Sequence, residues 1–324
     1  MNHIMEVDTP YVGVKVPSIR CQHCGGFLEL TSEKLSCACG YRLVWRGKIL
    51  EWEDRAKAFY EGRYLNRVHF NMERLQRHGG RFLVRFINYG YYDSILNFIP
   101  RGASILEIGC AGGAKLLGEW AHVTGVDISR QALELAVTSY DRVIRADVRA
   151  LEFAPASFDA ITSCFFWEHV PPTDKDLLLE KFKFWLRPRG KLIQLFDVSS
   201  QNPLFTWARR KPELFRQCFI YHDGHIGLES ASAAIDRFRK HKYRITEWHA
   251  MNRSPLQHLP VFEWLRPYGQ TARWVRILAT LGAWASQHKL MSRIYSGGVQ
   301  LFDETFGRLL PMDWSRLLLV VLEK

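Results

Sequence analysis

Between Ser104 and Phe196, short apolar runs alternate with amphipathic stretches, the pattern of β-strands joined by helices in a parallel sheet. Five strands are predicted there, at Ser104–Ile108, His122–Asp127, Arg142–Ala146, Phe158–Ser163 and Gly190–Phe196. Two more follow at Tyr243–Ala250 and Arg316–Leu322, and the helical stretch between them, about residues 260–307, is long for a connection. One helix illustrates the local signals. Pro171-Pro172 stops the preceding segment, Thr173 is expected as N-cap, and Asp174 and Asp176 favour the first turn. Leu178, Phe182 and Trp185 then recur at i, i+4 and i+7, predicting one buried face, and Pro188 and Gly190 end the helix. Four zones are expected: a cysteine-bearing segment at 1–50, a helical lead-in at 51–100, a ligand-binding core at 101–200, and a substrate-side cap with the final two strands at 201–324.

Composition narrows the class. With 47% hydrophobic and 24% charged residues, the chain is far from disorder, and its 23 Gly and 13 Pro have no period. Apolar stretches are broken by charge well before the roughly 20 residues of a membrane span, so no transmembrane segment is expected. Met1–Pro10 carries Glu6 and Asp8 and no apolar core, so no signal peptide is expected and the cytoplasm is the expected location. Lys plus Arg number 44 against 33 Asp plus Glu, a net charge of +11. That excess favours anionic partners, whether nucleic acid, an acidic membrane surface, or a phosphorylated or sugar-acid substrate. The 11 Trp suit both RNA and a lipid headgroup layer. Nothing in the pattern sets an oligomeric state.

The most informative segment is Ile105-Leu-Glu-Ile-Gly-Cys-Ala-Gly-Gly113, a strand running into a glycine-rich turn and a helix predicted at Ala114–Ala121. Gly109 and Gly113 let backbone approach a ligand where a Cβ would collide. Asp127, with Ile128 after it, stands at the carboxyl edge of the second strand, where a carboxylate can accept from both hydroxyls of an adenosine ribose. Asp147-Val148 closes the third strand, placed to read an adenine amino group. A dinucleotide fingerprint would need glycine at 111, which is Ala, and would set Glu107 beside a diphosphate. Glu107 suits a cation instead, and S-adenosylmethionine carries an ammonium and a sulfonium and no phosphate.

Residues 104–196 resemble the core of the class I S-adenosylmethionine-dependent methyltransferases, especially the ubiquinone and menaquinone branch. Glu107, Gly109 and Gly113 match three of four positions of that family's E-x-G-x-G-x-G loop, with Ala111 in place of the middle glycine. Asp127 matches the ribose-binding acid and Asp147-Val148 the adenine-side pair. Phe158-Asp-Ala-Ile-Thr-Ser-Cys-Phe-Phe-Trp-Glu-His-Val170 resembles the fourth-strand motif, and Leu186-Arg-Pro-Arg-Gly-Lys-Leu192 the turn before strand five. The resemblance implies a Rossmann-like sheet of seven strands, the last antiparallel, with a helical insertion between strands six and seven. It also implies cofactor contacts from Glu107, Gly109, Cys110, Ala111, Gly113, Asp127, Ile128, Asp147, Val148 and Ser163.

Cys21-Gln-His-Cys24-Gly-Gly and Cys37-Ala-Cys39-Gly read as two knuckles facing each other across a short hairpin. Four thiolates at tetrahedral distance suit structural zinc and leave no open catalytic position. Cys21 through Trp52 loosely resembles zinc ribbons fused ahead of some methyltransferases, including a ribosomal RNA guanine methyltransferase family.

Methyl transfer to a hydroxyl needs a group that accepts its proton. His169, after strand four, and His222 and His225, in the loop after strand five, are the candidates. Each has a plainer alternative, helix entry for His169 and a solvent-facing Asp223-Gly224 turn for the other two. Phe165, Phe166 and Trp167 either face the sulfonium or form core. Trp274, Ile277, Leu278, Leu281, Trp284 and Ala285 lie at helical spacing beside Arg273 and Arg276, for core or subunit packing or for a lipid interface. The leading expectation is a methyltransferase acting on a small-molecule or lipid- or sugar-type acceptor, at oxygen. The alternative is an rRNA or tRNA base methyltransferase, favoured by the ribbon, the net charge and Arg63, Arg67, Arg74, Arg77, Arg81 and Arg85, but lacking an Asn/Asp-Pro-Pro-Tyr-type run at 164–168. A non-enzymatic partner protein is a third class, disfavoured by the intact loop and Asp127.

Overall fold

The structure is a computed structural model, and it describes residues 19–21, 24, 26–30, 34–46, 48–51, 60, 61, 65, 71–77, 80, 84, 88–255, 257, 259–270 and 272–324. His23, Trp52, Arg63, Arg67, Arg81 and Arg85, as well as Met1–Pro10, lie outside the described residues. The chain divides into two units. One comprises Met1–Cys164, Leu178–Ile193 and Glu323–Lys324, and the other Phe165–Leu177 and Gln194–Leu322.

The first unit is built on a sheet. Its strands are β1 (Glu29–Leu30), β2 (Lys34–Ser36), β3 (Arg42–Arg46), β4 (Ile49–Glu51), β5 (Ser104–Ile108), β6 (His122–Asp127), β7 (Arg142–Arg145), β8 (Phe158–Cys164) and the first part of β9 (Leu186–Asp197). They run in the order β1-β2-β3-β4-β7-β6-β5-β8-β9. The first four pair antiparallel, whereas β4 joins β7 in parallel, with Leu50 opposite Ile144. β5 is the central strand, parallel to β6 on one side and β8 on the other, Ile105 facing Val123 and Ala160. Leu106, Ile108, Val123, Val126, Val143 and Ile161 are all buried, as strands covered on both faces require. Because consecutive strands depart from β5 in opposite directions, a crevice opens beyond its carboxyl end.

In the second unit the end of β9 is followed in the sheet by β11 (Leu317–Glu323) and β10 (Arg244–Met251). The Val198 N–H donates to the Arg316 carbonyl and the Arg316 N–H to that of Met251, so β11 runs antiparallel to both neighbours. A separate apolar centre gathers Phe205, Ala208, Phe219, Leu259, Val261, Phe262, Leu265, Tyr268 and Val275. It is built from the helices Pro203–Ala208, Leu259–Trp264 and Arg273–Gln287.

The expected class I architecture is therefore present, extended by four N-terminal strands. β5 and β6 have the predicted bounds. β7 stops one residue early because Asp147 caps the short turn Val148–Ala150. Leu178, Phe182 and Trp185 form the predicted buried face of the helix Pro172–Trp185. Thr173 is not its cap: it lies inside the first turn and its hydroxyl donates to Asp174. β9 begins at Leu186 rather than Gly190, and Arg189 absorbs the bend with a φ of 62°. A helix, Ala231–Lys240, follows Ser230, whose hydroxyl accepts from the Ala233 N–H. Among the described residues no helix is long and apolar enough to cross a membrane.

Candidate functional site

The loop after β5 has the backbone its glycines predict. Gly109 and Gly113 have φ of 62° and 73°, and a Cβ on Gly113 would lie 3.1 Å from the Cα of Ala136. Ala111, where the resembled family has glycine, takes the same left-handed conformation with a φ of 45°. The departure thus preserves the turn and is expressed as backbone strain.

Two acids frame this loop. Asp127 ends β6, and its carboxylate accepts the Ala111 N–H and the Ser129 N–H, each at 2.9 Å. Each oxygen has taken one donor and retains capacity for another, as two neighbouring hydroxyls require. Glu107 is 4% exposed on β5. It accepts from the Tyr140 hydroxyl, which in turn accepts the Ala114 N–H at 2.8 Å, and Tyr91 donates from 3.4 Å. Burial pushes Glu107 up to about 7, and the two tyrosines only partly offset this. A buried carboxylate held by neutral donors alone is the counterpart of a cationic ligand.

The remaining expected contacts are distributed unevenly. Cys110 and Val148 are buried, and Ser163, next to the end of β8, has a buried hydroxyl without a hydrogen-bond partner. Asp147 is half-buried. Its carboxylate pairs with Arg149, whose Nε approaches both oxygens at 2.9 and 3.1 Å. The Tyr91–Tyr140 clamp was not foreseen, because a tyrosine carries no local signal for the acid it will meet.

The four cysteines come together: the sulfurs of Cys21, Cys24, Cys37 and Cys39 all lie within 4.8 Å of one another, with none in a disulfide. Tetrahedral zinc with bonds of about 2.3 Å spaces its sulfurs about 3.8 Å apart, so the set fits that ion. The segment is joined to the core by β4. Glu51 on that strand pairs with Arg130 and Arg145, and the Arg145 Nε donates to the Ile128 carbonyl, next to Asp127. Glu61 also accepts the N–H groups of Arg130 and Gln131.

The second unit assembles a different cluster. His169 Nδ1 lies 3.1 Å from the Gly224 carbonyl, and its ring centroid is 5.1 Å from that of His225. His225 Nε2 is 4.0 Å from Asp197, which also faces Arg316 at 3.3 Å. Burial, then the neighbouring His225, lowers His169 to about 4, and burial lowers His225 as well. Glu168 is buried with neither carboxylate oxygen hydrogen-bonded, and burial raises it well above the carboxylate range. Glu168, His169 and His225 each bring one potential ligand atom within 4.8 Å of the others. His222 is not part of this cluster: its side chain is mostly exposed and faces Asp223 at 3.8 Å. Trp167 is core, donating to Glu229 and packing on Phe238, while Phe165 and Phe166 are half-buried.

Residues 105–190 match the profile of a family described as a methyltransferase domain. Ubiquinone biosynthesis O-methyltransferase of Xylella fastidiosa (strain 9a5c) is 31% identical over 126 residues, 36% of this chain and 50% of that protein. Phosphoethanolamine N-methyltransferase 2 of Caenorhabditis elegans is 28% identical over 147 residues, 40% of this chain and 33% of that protein. The chain thus spans half or less of the length of these curated relatives. A solved structure of Haemonchus contortus phosphoethanolamine N-methyltransferase 2 aligns over 75% of this chain and 58% of its own, at 17% identity and a TM-score of 0.42.

Proposed function

We propose, from the premise that residues 105–190 are a class I S-adenosylmethionine-dependent methyltransferase domain, that the whole chain transfers that methyl group to an oxygen of a small-molecule or lipid-linked acceptor. The observation that carries the cofactor reading is the pair of acids on adjacent strands, Glu107 and Asp127, around the Gly109–Gly113 loop. Asp127 and the backbone around Ile128 would hold the ribose, Glu107 the amino group, and Gly109–Gly113 the chain between them. Bound there, S-adenosylmethionine supplies an activated methyl group to a nucleophile in line with the sulfur.

On the acceptor side, His169 and His225 are the proposed proton acceptors. A hydroxyl acceptor loses its proton as the bond to carbon forms, and an imidazole kept neutral by burial can take it. Relatives named as an O-methyltransferase of ubiquinone biosynthesis and as phosphoethanolamine N-methyltransferases support a small acceptor and leave its identity open. The cysteine centre is proposed as structural zinc.

Two measurements test the reading. Calorimetry should show S-adenosylmethionine binding that Asp127→Ala abolishes, and an unchanged affinity in that variant removes the cofactor assignment. A labelled-donor screen of a cell extract split into RNA, lipid and small-molecule fractions should place label in one of the last two. Label confined to RNA replaces the acceptor class with a nucleic-acid base.

A further inference from the structure

The helix Arg273–Gln287 has two unlike sides. Val275, Ala279 and Gly282 are buried, and a Cβ on Gly282 would lie 2.9 Å from Phe262. Away from them, Trp274, Ile277, Leu281 and Trp284 follow at i, i+3, i+7 and i+10, each 46–59% exposed. The next helix, Lys289–Glu304, repeats the arrangement. It buries Val299 and leaves Leu290, Met291, Ile294 and Leu301 exposed, and Phe306 and Leu309 continue the exposed apolar series beyond it. Trp274 packs against Trp207 and Trp284 against His288, yet both stay about half exposed. Scattered single apolar residues are ordinary on a surface, but two successive helices each with an exposed apolar line mark an interaction face.

The charge of this region identifies the partner. From Trp264 to Phe302 the sequence contains no Asp or Glu, while it holds Arg266, Arg273, Arg276, Lys289 and Arg293. The next acid, Asp303, is buried, and its carboxylate accepts backbone N–H groups of Asn252 and Arg253 at 2.6 and 3.1 Å. A second copy of this chain docking through the same face would bring Arg273 and Arg276 against themselves, and of the acids at the end of the second helix only Glu304, which accepts from Gln300, is not buried. The exposed lines are mostly aliphatic, which does not suit stacking on nucleic-acid bases. An apolar line beside cations, with tryptophan at both its ends, has the composition of a helix lying in a headgroup layer.

We propose that the helices Arg273–Gln287 and Lys289–Glu304 form a docking surface for an anionic lipid bilayer. The aliphatic side chains enter the acyl boundary and the arginines meet the lipid phosphates. This surface is independent of the cofactor assignment. The test is sedimentation of the full chain with vesicles of phosphatidylglycerol and phosphatidylcholine, against phosphatidylcholine alone. Binding is expected with the anionic vesicles, weakened at high salt, and at least about tenfold weaker in Ile277→Glu/Leu281→Glu. Arg273→Gln/Arg276→Gln should also lose about tenfold or more, since each cation near such a surface is worth roughly fivefold. Thermal unfolding of both variants checks that they fold. A wild-type chain that stays in the supernatant, or variants that bind as it does, overturns the proposal. So does a wild-type dimer that Ile277→Glu/Leu281→Glu converts to monomer, which would assign the face to a second copy.

Discussion

Glu107→Gln separates what the cofactor cleft gains from its acid and what that acid costs the fold. An unperturbed glutamate ionises near 4.5 and Glu107 at about 7, because burial strips water from the carboxylate. The folded state therefore holds a proton that the unfolded state has released between these values, so stability falls as pH rises through that window. At about 1.4 kcal/mol per tenfold, the penalty is fully developed above pH 7 and amounts to about 3 kcal/mol. The amide that replaces the carboxylate is neutral throughout and can accept from the same tyrosine hydroxyls. Chemical denaturation without cofactor should show the stability difference between variant and wild type moving by about 3 kcal/mol in the variant's favour from pH 4 to pH 8. Calorimetry at pH 8 should show the opposite preference. Loss of a charged hydrogen bond, worth about 1.5–3 kcal/mol, weakens S-adenosylmethionine binding by roughly 10- to 100-fold. A stability difference that does not move with pH, together with unaltered cofactor affinity, refutes the reasoning.

Further outcomes follow from other features. Ala111→Gly should raise stability by up to about 1 kcal/mol in denaturant titrations, since relief of left-handed strain exceeds the entropy glycine adds to the unfolded chain. Metal analysis should find one zinc per chain, and Cys21→Ser/Cys24→Ser should lose it, lower the unfolding midpoint and weaken S-adenosylmethionine binding several-fold through Glu51 and Arg145. A zinc-free protein of full stability argues against that centre. His169, lowered to about 4, stays neutral in the folded state while the unfolded chain takes up a proton below about 6.5, so its contribution makes stability rise with pH between these values. His169→Gln should flatten that slope. His169→Ala should cut turnover at least about 10²-fold with cofactor affinity unchanged, and an unaltered turnover number excludes it as the base.

Features encoded locally were legible before the structure. The glycine loop, Asp127 at a strand end and the paired cysteine knuckles each occupy a few consecutive residues, and the structure has them in the expected elements. Features that depend on residues far apart were not. Nothing near Tyr140 announces Glu107, 33 residues away, and nothing at Glu51 announces Arg145, 94 residues away. Asp147 shows the converse: its position was foreseen, but its pairing with neighbouring Arg149 was not, because spacing alone does not say which way a flexible cation folds. The apolar spacing of residues 274–285 predicted a helix correctly, yet periodicity could not tell a covered face from an open one. Trp274, Ile277, Leu281 and Trp284 prove exposed while Leu278 and Ala285 pack inward.

The parallel pairing of β4 with β7 bears on how this protein can be divided in the laboratory. A fragment cut to the boundaries of the recognised domain would begin after β4. It would leave the backbone amides and carbonyls of β7 bare along one side, and the buried Arg145 and half-buried Arg130 without their glutamate. Such a rim invites intermolecular strand addition, so the shortened polypeptide should precipitate where the parent stays dispersed. The four N-terminal strands are, in this sense, the hem of the sheet, and any attempt to isolate the methyltransferase domain has to carry them along.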